Sequence, residues 1–228
     1  MRQRLISSEK GRGSLAVVAV AALAVLGTAA TASAELELTH VTDEEMLILM
    51  PESELSATAE GRIGDRGGAA TFELDIGRRT SAPTQTAQYD WQSGVVEPFT
   101  LSYDDLGNVV TFTLGGVALT YTPDRPFDTA FLRTRAVDDA SSAVLDDLVL
   151  NGEIIGDLSS AVGPDATDIL MVAGGGIYGG FVLTGTAVLT WGTPVPTQSR
   201  LAFQIKLGSV SSTSLDRGTW GEIKSIFR

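Results

Sequence analysis

Apolar and polar residues alternate with a period of two through most of the chain, and helical spacing is scarce. FTLSY places Phe99, Leu101 and Tyr103 on one face, VTFTL places Val110, Phe112 and Leu114, and VALTY places Val117, Leu119 and Tyr121. LAFQIKL does the same with Leu201, Phe203, Ile205 and Leu207. In FVLTGTAVLTW, Phe181, Leu183, Ala187, Leu189 and Trp191 alternate with Val182, Thr184, Thr186, Val188 and Thr190. Successive side chains of a strand point to opposite faces, so these segments predict half-buried strands. Phe112, Leu119, Leu183, Leu189, Phe203 and Ile205 are expected to point inward.

Turn chemistry supports the same elements. Gly115-Gly116 and Asn151-Gly152 are two-residue loops that tolerate positive φ in tight hairpins, and DDLGN (104–108) suits a longer hairpin loop. About ten to twelve short strands at roughly 8–12-residue spacing make an all-β fold. The expected architecture is an antiparallel β-sandwich of the jelly-roll kind over residues 35–208, with an up-and-down barrel as the alternative. Residues 41–66, with DEEMLILMPESEL, stay open between a short helix and an irregular edge. Residues 209–228 are expected to be a polar connector and tail. In TWGEIKSIFR, Thr219 and Glu222 have capping-box spacing, and Trp220, Ile223 and Phe227 follow helical spacing. This predicts a short C-terminal amphipathic helix.

The first 34 residues change the picture from a fold to a location. Arg2, Arg4, Lys10 and Arg12 lead into the apolar run LAVVAVAALAVL and then TAATASA, the pattern of a secretory signal peptide cut after Ala34. The run is shorter than the about 20 apolar residues of a spanning helix, so the mature chain is expected to carry no transmembrane helix and to be secreted or held at the cell surface. There is no cysteine, hence no disulfide, thiolate or lipid-attachment cysteine. The formal charge is -12; without Arg2, Arg4, Lys10, Arg12 and Glu9, 12 basic residues face 27 acidic ones, a charge of -15. Such a surface repels phosphate backbones and anionic lipid, which argues against nucleic acid as a partner.

FDTAFLRTRAVDD, VLDDLVLNGE, GFVLTGTAVLTW and SRLAFQIKLG, in this order, resemble the choice-of-anchor W domain of bacterial exported proteins, over most of residues 69–208. The resemblance implies a surface-associated β domain with no catalytic residues to transfer. It also implies a C-terminal sorting signal, and after Gly208 there is no LPxTG motif, PEP-type signal or apolar helix with a basic end.

Candidate chemistry concentrates in FLRTRAVDDASSAVLDDLVLNGE. Alternation puts Phe131, Arg133 and Arg135 on one face and Leu132, Thr134 and Ala136 on the other. If ASSA closes a hairpin with Val137 opposite Val144, Arg135 lies opposite Asp146 in a cross-strand ion pair worth roughly 0.2–1 kcal/mol. The functional reading has Arg133 and Arg135 grip a carboxylate of an acidic glycan or peptide. Asp146 and Asp147, being consecutive, are expected on opposite faces and so unable to serve one glycosidic centre.

Asp138 and Asp139, with Ser141, Ser142, backbone carbonyls and Asp146, offer part of the roughly six to eight oxygens of a Ca2+ shell. Asp165 with Asp168, and Asp104 with Asp105 and Asn108, are two further sets; turn chemistry explains all three equally. Tyr89 and Trp91 share a face in AQYDWQSG and suit either a sugar-stacking platform or the core. His40, the sole histidine, is either a ligand or base, or an ordinary surface residue near the new N-terminus. There is no GxSxG elbow, and GGGIYGG (174–180) lacks the Lys-Ser/Thr ending of a P-loop.

No cofactor is expected apart from possible Ca2+. The leading expectation is a non-enzymatic exported structural or adhesion module, with extracellular polysaccharide or other surface proteins as partners. Its alternatives are a carbohydrate-binding module and a hydrolase with an unrecognised carboxylate pair.

Overall fold

The computed structural model describes residues 35–64, 72–79 and 82–210. The signal-like segment and the tail TWGEIKSIFR therefore lie outside the described residues. Among the described residues fourteen strands build two antiparallel sheets packed face to face, a β-sandwich. The first sheet runs in the order β1 (Glu37–His40), β12 (Ala166–Ala173), β8 (Thr129–Ala136), β14 (Leu201–Gly208), β2 (Leu55–Ile63), β3 (Phe72–Gly77) and β4 (Gln85–Gln88). The second runs β10 (Glu153–Ile154), β9 (Ser142–Leu150), β13 (Phe181–Thr190), β5 (Val96–Asp104), β6 (Val109–Leu114) and β7 (Val117–Tyr121), with β11 (Ser159–Val162) also paired to β9. From β7 onward the chain crosses repeatedly between sheets, as a jelly-roll-like path does.

The interior follows from the alternation. Phe112, Leu183, Leu189, Phe203 and Ile205 are at most 1% exposed and Leu119 is 6% exposed. Phe203 lies at the centre, its ring 6.1 Å from Trp91 and 6.3 Å from both Phe99 and Phe112. Opposite it on β2 stands Gly61, where a Cβ would run into the Phe203 ring. The predicted two-residue turns close β6–β7 and β9–β10, with positive φ at Gly115, Gly116, Asn151 and Gly152. Gly115 also lies under the Tyr89 ring, which leaves no room for a side chain.

The described part of the open segment, residues 41–64, holds a helix and a strand. Helix α1 (Asp43–Leu49) begins at a complete capping box: Thr42 Oγ1 accepts from the Glu45 amide and the Glu45 carboxylate accepts from the Thr42 amide. Its Met46 and Leu49 join Val41, Met50, Leu55, Phe131, Ile169, Met171 and Val210 in a second, smaller apolar cluster on the outer side of the first sheet. Among the described residues no helix is long and apolar enough to cross a membrane.

The expected β8–β9 hairpin does not form. The two strands belong to different sheets, because residues 137–141 carry the chain from one to the other. Arg135 stands opposite Thr167 and Ala202, and Asp146 stands opposite Thr186, so the Arg135–Asp146 ion pair is replaced by unrelated neighbours.

Candidate functional site

On a strand, residues two apart share a face, and adjacent strands lie about 4.8 Å apart, so the register gives the outer face of the first sheet row by row. One row reads Thr167, Arg135, Ala202, Arg62. The next reads Ile169, Arg133, Gln204, Glu60, Asp75. The third reads Met171, Phe131, Lys206, Thr58. Helix α1 covers the apolar end of this face, and the remaining charged part forms a depression of about 250 Å3 lined by Glu60, Arg62, Arg133, Arg135, Ala202 and Gln204, with Gln198 and Ser199 at its rim.

Most charges here are already engaged. Arg62 is 6% exposed and donates from Nη1 to Glu60 Oε2 at 3.2 Å, while its Nη2 lies 3.0 Å from Asp75 Oδ2. Burial pushes the Glu60 carboxyl up, against the pull of the Arg62 guanidinium and a hydrogen bond with Gln204. Arg133 makes a two-pronged contact with Asp43, Nε to Oδ1 at 2.7 Å and Nη2 to Oδ2 at 2.9 Å. That contact holds the Asp43 carboxyl below its ordinary range despite partial burial, and fastens the first turn of α1 to the sheet. Lys206, close by, is pushed down by burial and by the Arg133 charge. Arg135 is exposed and makes no hydrogen bond or ion pair among the described residues.

The other predicted groups are scattered. Trp91 is 1% exposed and packs edge-on against Tyr89 at 4.9 Å, so the sugar-stacking platform is corrected to core. The Tyr89 hydroxyl is pushed up to about 12 by burial and by its hydrogen bond with Glu97. Asp146 and Asp147 do not alternate: a β-bulge opposite Thr184–Thr186 and a φ of +52° at Asp147 leave both exposed.

The set Asp138, Asp139 and Asp146 is also corrected. Asp146 lies four residues into β9, about 13 Å along the strand from its start, and its Oδ1 accepts from the Asp147 amide. Asp138 pairs with Arg200 at 2.6 Å, and its carbonyl accepts from the Ser141 hydroxyl. Among the described residues no group of three or more His, Asp or Glu is placed to hold a metal ion. At the β5–β6 turn, Asp104 Oδ1 accepts from the Leu106 amide and the Tyr103 hydroxyl donates to Asn108 Oδ1, which is turn chemistry.

His40 is held from both sides, Nδ1 2.9 Å from Asp168 Oδ1 and Nε2 3.1 Å from Asp157 Oδ2. Asp168 also accepts from the Ser160 amide at 2.8 Å. Burial opposes the charged imidazole, but hydrogen bonds to Asp168 and Asp157 outweigh it and raise the pKa from its ordinary value. The residue thus ties the edge strand β1 to β12 and to the β10–β11 connection.

Glu60, Arg62, Ala202, Gln204 and Asp43 escaped the sequence reading. The signal was present in LSATAEGRI, where Glu60 and Arg62 stand two apart on one face of a strand. A scan against protein-family models finds no match to this chain, and a search of curated proteins finds none either.

Proposed function

We propose that the chain is a non-enzymatic structural or adhesion module exported to the cell surface or extracellular matrix. The observation that carries this reading is the use of its charged candidates as ties between segments. Asp43–Arg133 fastens α1, Asp138–Arg200 joins two loops, and Asp157–His40–Asp168 links the sheets at one side. Gln85 and Thr120 link β4 to β7 at the other side, through a 2.7 Å backbone–side-chain bond. Carboxylates and an imidazole committed to such contacts serve rigidity, and a rigid acidic scaffold acts through its surface. The signal-like leader and the resemblance to choice-of-anchor W domains support the same reading.

Fractionation of producing cells, with N-terminal sequencing of the recovered protein, tests it. The expected result is a chain beginning at Glu35 outside the cytoplasmic membrane, and cells lacking it should attach or aggregate less. An intact Met1 start on cytoplasmic protein, or turnover of a polysaccharide by the purified chain, would overturn it.

The carbohydrate-binding alternative keeps one favourable observation, the depression beside Arg135. Trp91 no longer belongs to it.

A further inference from the structure

We propose that the depression at Arg135, Ala202 and Arg62 binds the carboxylate of a single uronate residue in an acidic polysaccharide. Ala202 stands between two arginines in one cross-strand row, and its methyl group leaves the space that longer neighbours would fill. Arg62 and Arg133 are fixed and their charges are met by Glu60, Asp75 and Asp43, so they form rigid walls and leave Arg135 as the charge available to a ligand. Arg135, exposed and without a partner among the described residues, keeps its planar fork of donors for a ligand.

Size and rim narrow the ligand. A volume of about 250 Å3 falls below the roughly 300–1,000 Å3 of pockets that enclose drug-sized molecules, so one unit of a chain fits rather than a long segment. Gln198 and Ser199, both with positive φ in the turn before β14, present an amide and a hydroxyl at the rim. The turn is held by the Ser199 amide donating to the Gly64 carbonyl at 2.8 Å. Neutral polar groups beside a cationic one match a sugar that carries both hydroxyls and a carboxylate. The chain's net charge of -12 repels a dense polyanion, so sparse or terminal uronates are preferred. The choice of a polysaccharide rests on the exported-surface reading; the carboxylate site does not.

The test is calorimetric titration of the whole protein with a glucuronate-terminated disaccharide, its methyl ester, and a glutamate dipeptide. Binding of the free acid alone is expected. Arg135→Ala should weaken it about tenfold or more, the scale of a lost charge-assisted hydrogen bond, with thermal unfolding unchanged because the side chain is exposed. Arg135→Lys should fall between, since an ammonium lacks the fork. Ala202→Leu should abolish binding by filling the space while Arg135 remains, provided circular dichroism shows a folded sheet. Equal binding of acid and ester, unchanged binding by Arg135→Ala, or equal binding of the dipeptide would each overturn the proposal. Since this is measured on isolated protein, failure leaves the cell-fractionation result standing. A cytoplasmic chain that binds uronate would sink the location and keep the site.

Discussion

Strand β13 in the second sheet turns Thr184, Thr186 and Thr190 half-exposed toward solvent, whereas β2 in the first sheet turns Ser56, Thr58, Glu60 and Arg62 outward and buries them all. Both strands obey the same period of two. On the threonine face a polar group needs only water, and rows such as Thr184, Thr100, Thr113 are solvated. Under cover, each polar group needs a protein partner. Ser56 Oγ donates to the Pro126 carbonyl at 2.9 Å, Thr58 Oγ1 to the Arg78 carbonyl at 3.1 Å, and Arg62 meets Glu60 and Asp75. The period identifies the inward residues; whether the outward ones face water depends on what else the chain lays over them.

The interior common to both faces should produce the largest effect. Phe203→Ala is expected to cost about 3–5 kcal/mol, because the ring is 1% exposed and Gly61 opposite supplies no atoms to refill the space. Urea denaturation measures it, and a loss under about 1 kcal/mol would mean the two sheets do not close on this ring.

The contrast itself is broken or upheld by a matched pair. Arg62→Ala strands the Glu60 and Asp75 carboxylates in a buried site and is expected to cost about 3–5 kcal/mol. Thr113→Ala on the threonine face removes one cross-strand contact and should cost less than about 1 kcal/mol. Equal losses in denaturant would show that the two faces do not differ in desolvation.

The same contrast separates what the sequence reveals from what it hides. Phe99, Phe112, Leu183 and Phe203 are readable because each sits in a run of apolar–polar alternation bounded by turn residues. In LSATAEGRI the inward set is Ala57, Ala59, Gly61 and Ile63, too small to stand out, although every residue is buried. The expected Arg135–Asp146 pair presumed that sequence neighbours are sheet neighbours, and a sandwich crossing defeats that assumption. Asp147 escaped because one inserted residue at a bulge undoes strict alternation. The partner of Arg133 is Asp43, ninety positions away, and no local pattern announces a contact at that separation. Arg133 and Arg135 were legible as one polar face; which of them is occupied is decided by the placement of α1.

A smaller effect tests how α1 is held over the charged face. Asp43 has its pKa lowered, chiefly by the Arg133 hydrogen bonds. Its contribution is therefore present above the ordinary value of 3.8 and is lost as pH falls through the lower folded value. Asp43→Asn should cost about 1 kcal/mol at neutral pH, the discounted figure for a partly exposed pair. Thermal unfolding of the two proteins should converge once the pH has fallen from above 3.8 through the lowered folded value. A constant difference down to pH 2 would assign the loss to packing of the side chain rather than to its charge.

The smallest expected effect lies where the first sheet's charges reach the second. His40 on β1 bridges Asp168 on β12 and Asp157 in the β10–β11 connection, with its side chain 44% exposed. Its folded pKa is raised above the ordinary 6.5, so its stabilisation is fully present below that value and is lost as pH rises through the folded pKa. Exposure to solvent keeps the contribution below about 1 kcal/mol. Thermal unfolding of wild type and His40→Gln between pH 5 and 9 should show the wild type ahead at the acid end and the gap shrinking toward the alkaline end. The protection of the β1 amides against exchange, relative to the unfolded rate at each pH, should fall over the same interval in the wild type and stay level in the variant, because among the described residues this edge strand pairs with β12 alone. A gap that widens with pH would mean that the neutral imidazole, not the charged one, makes the bridge.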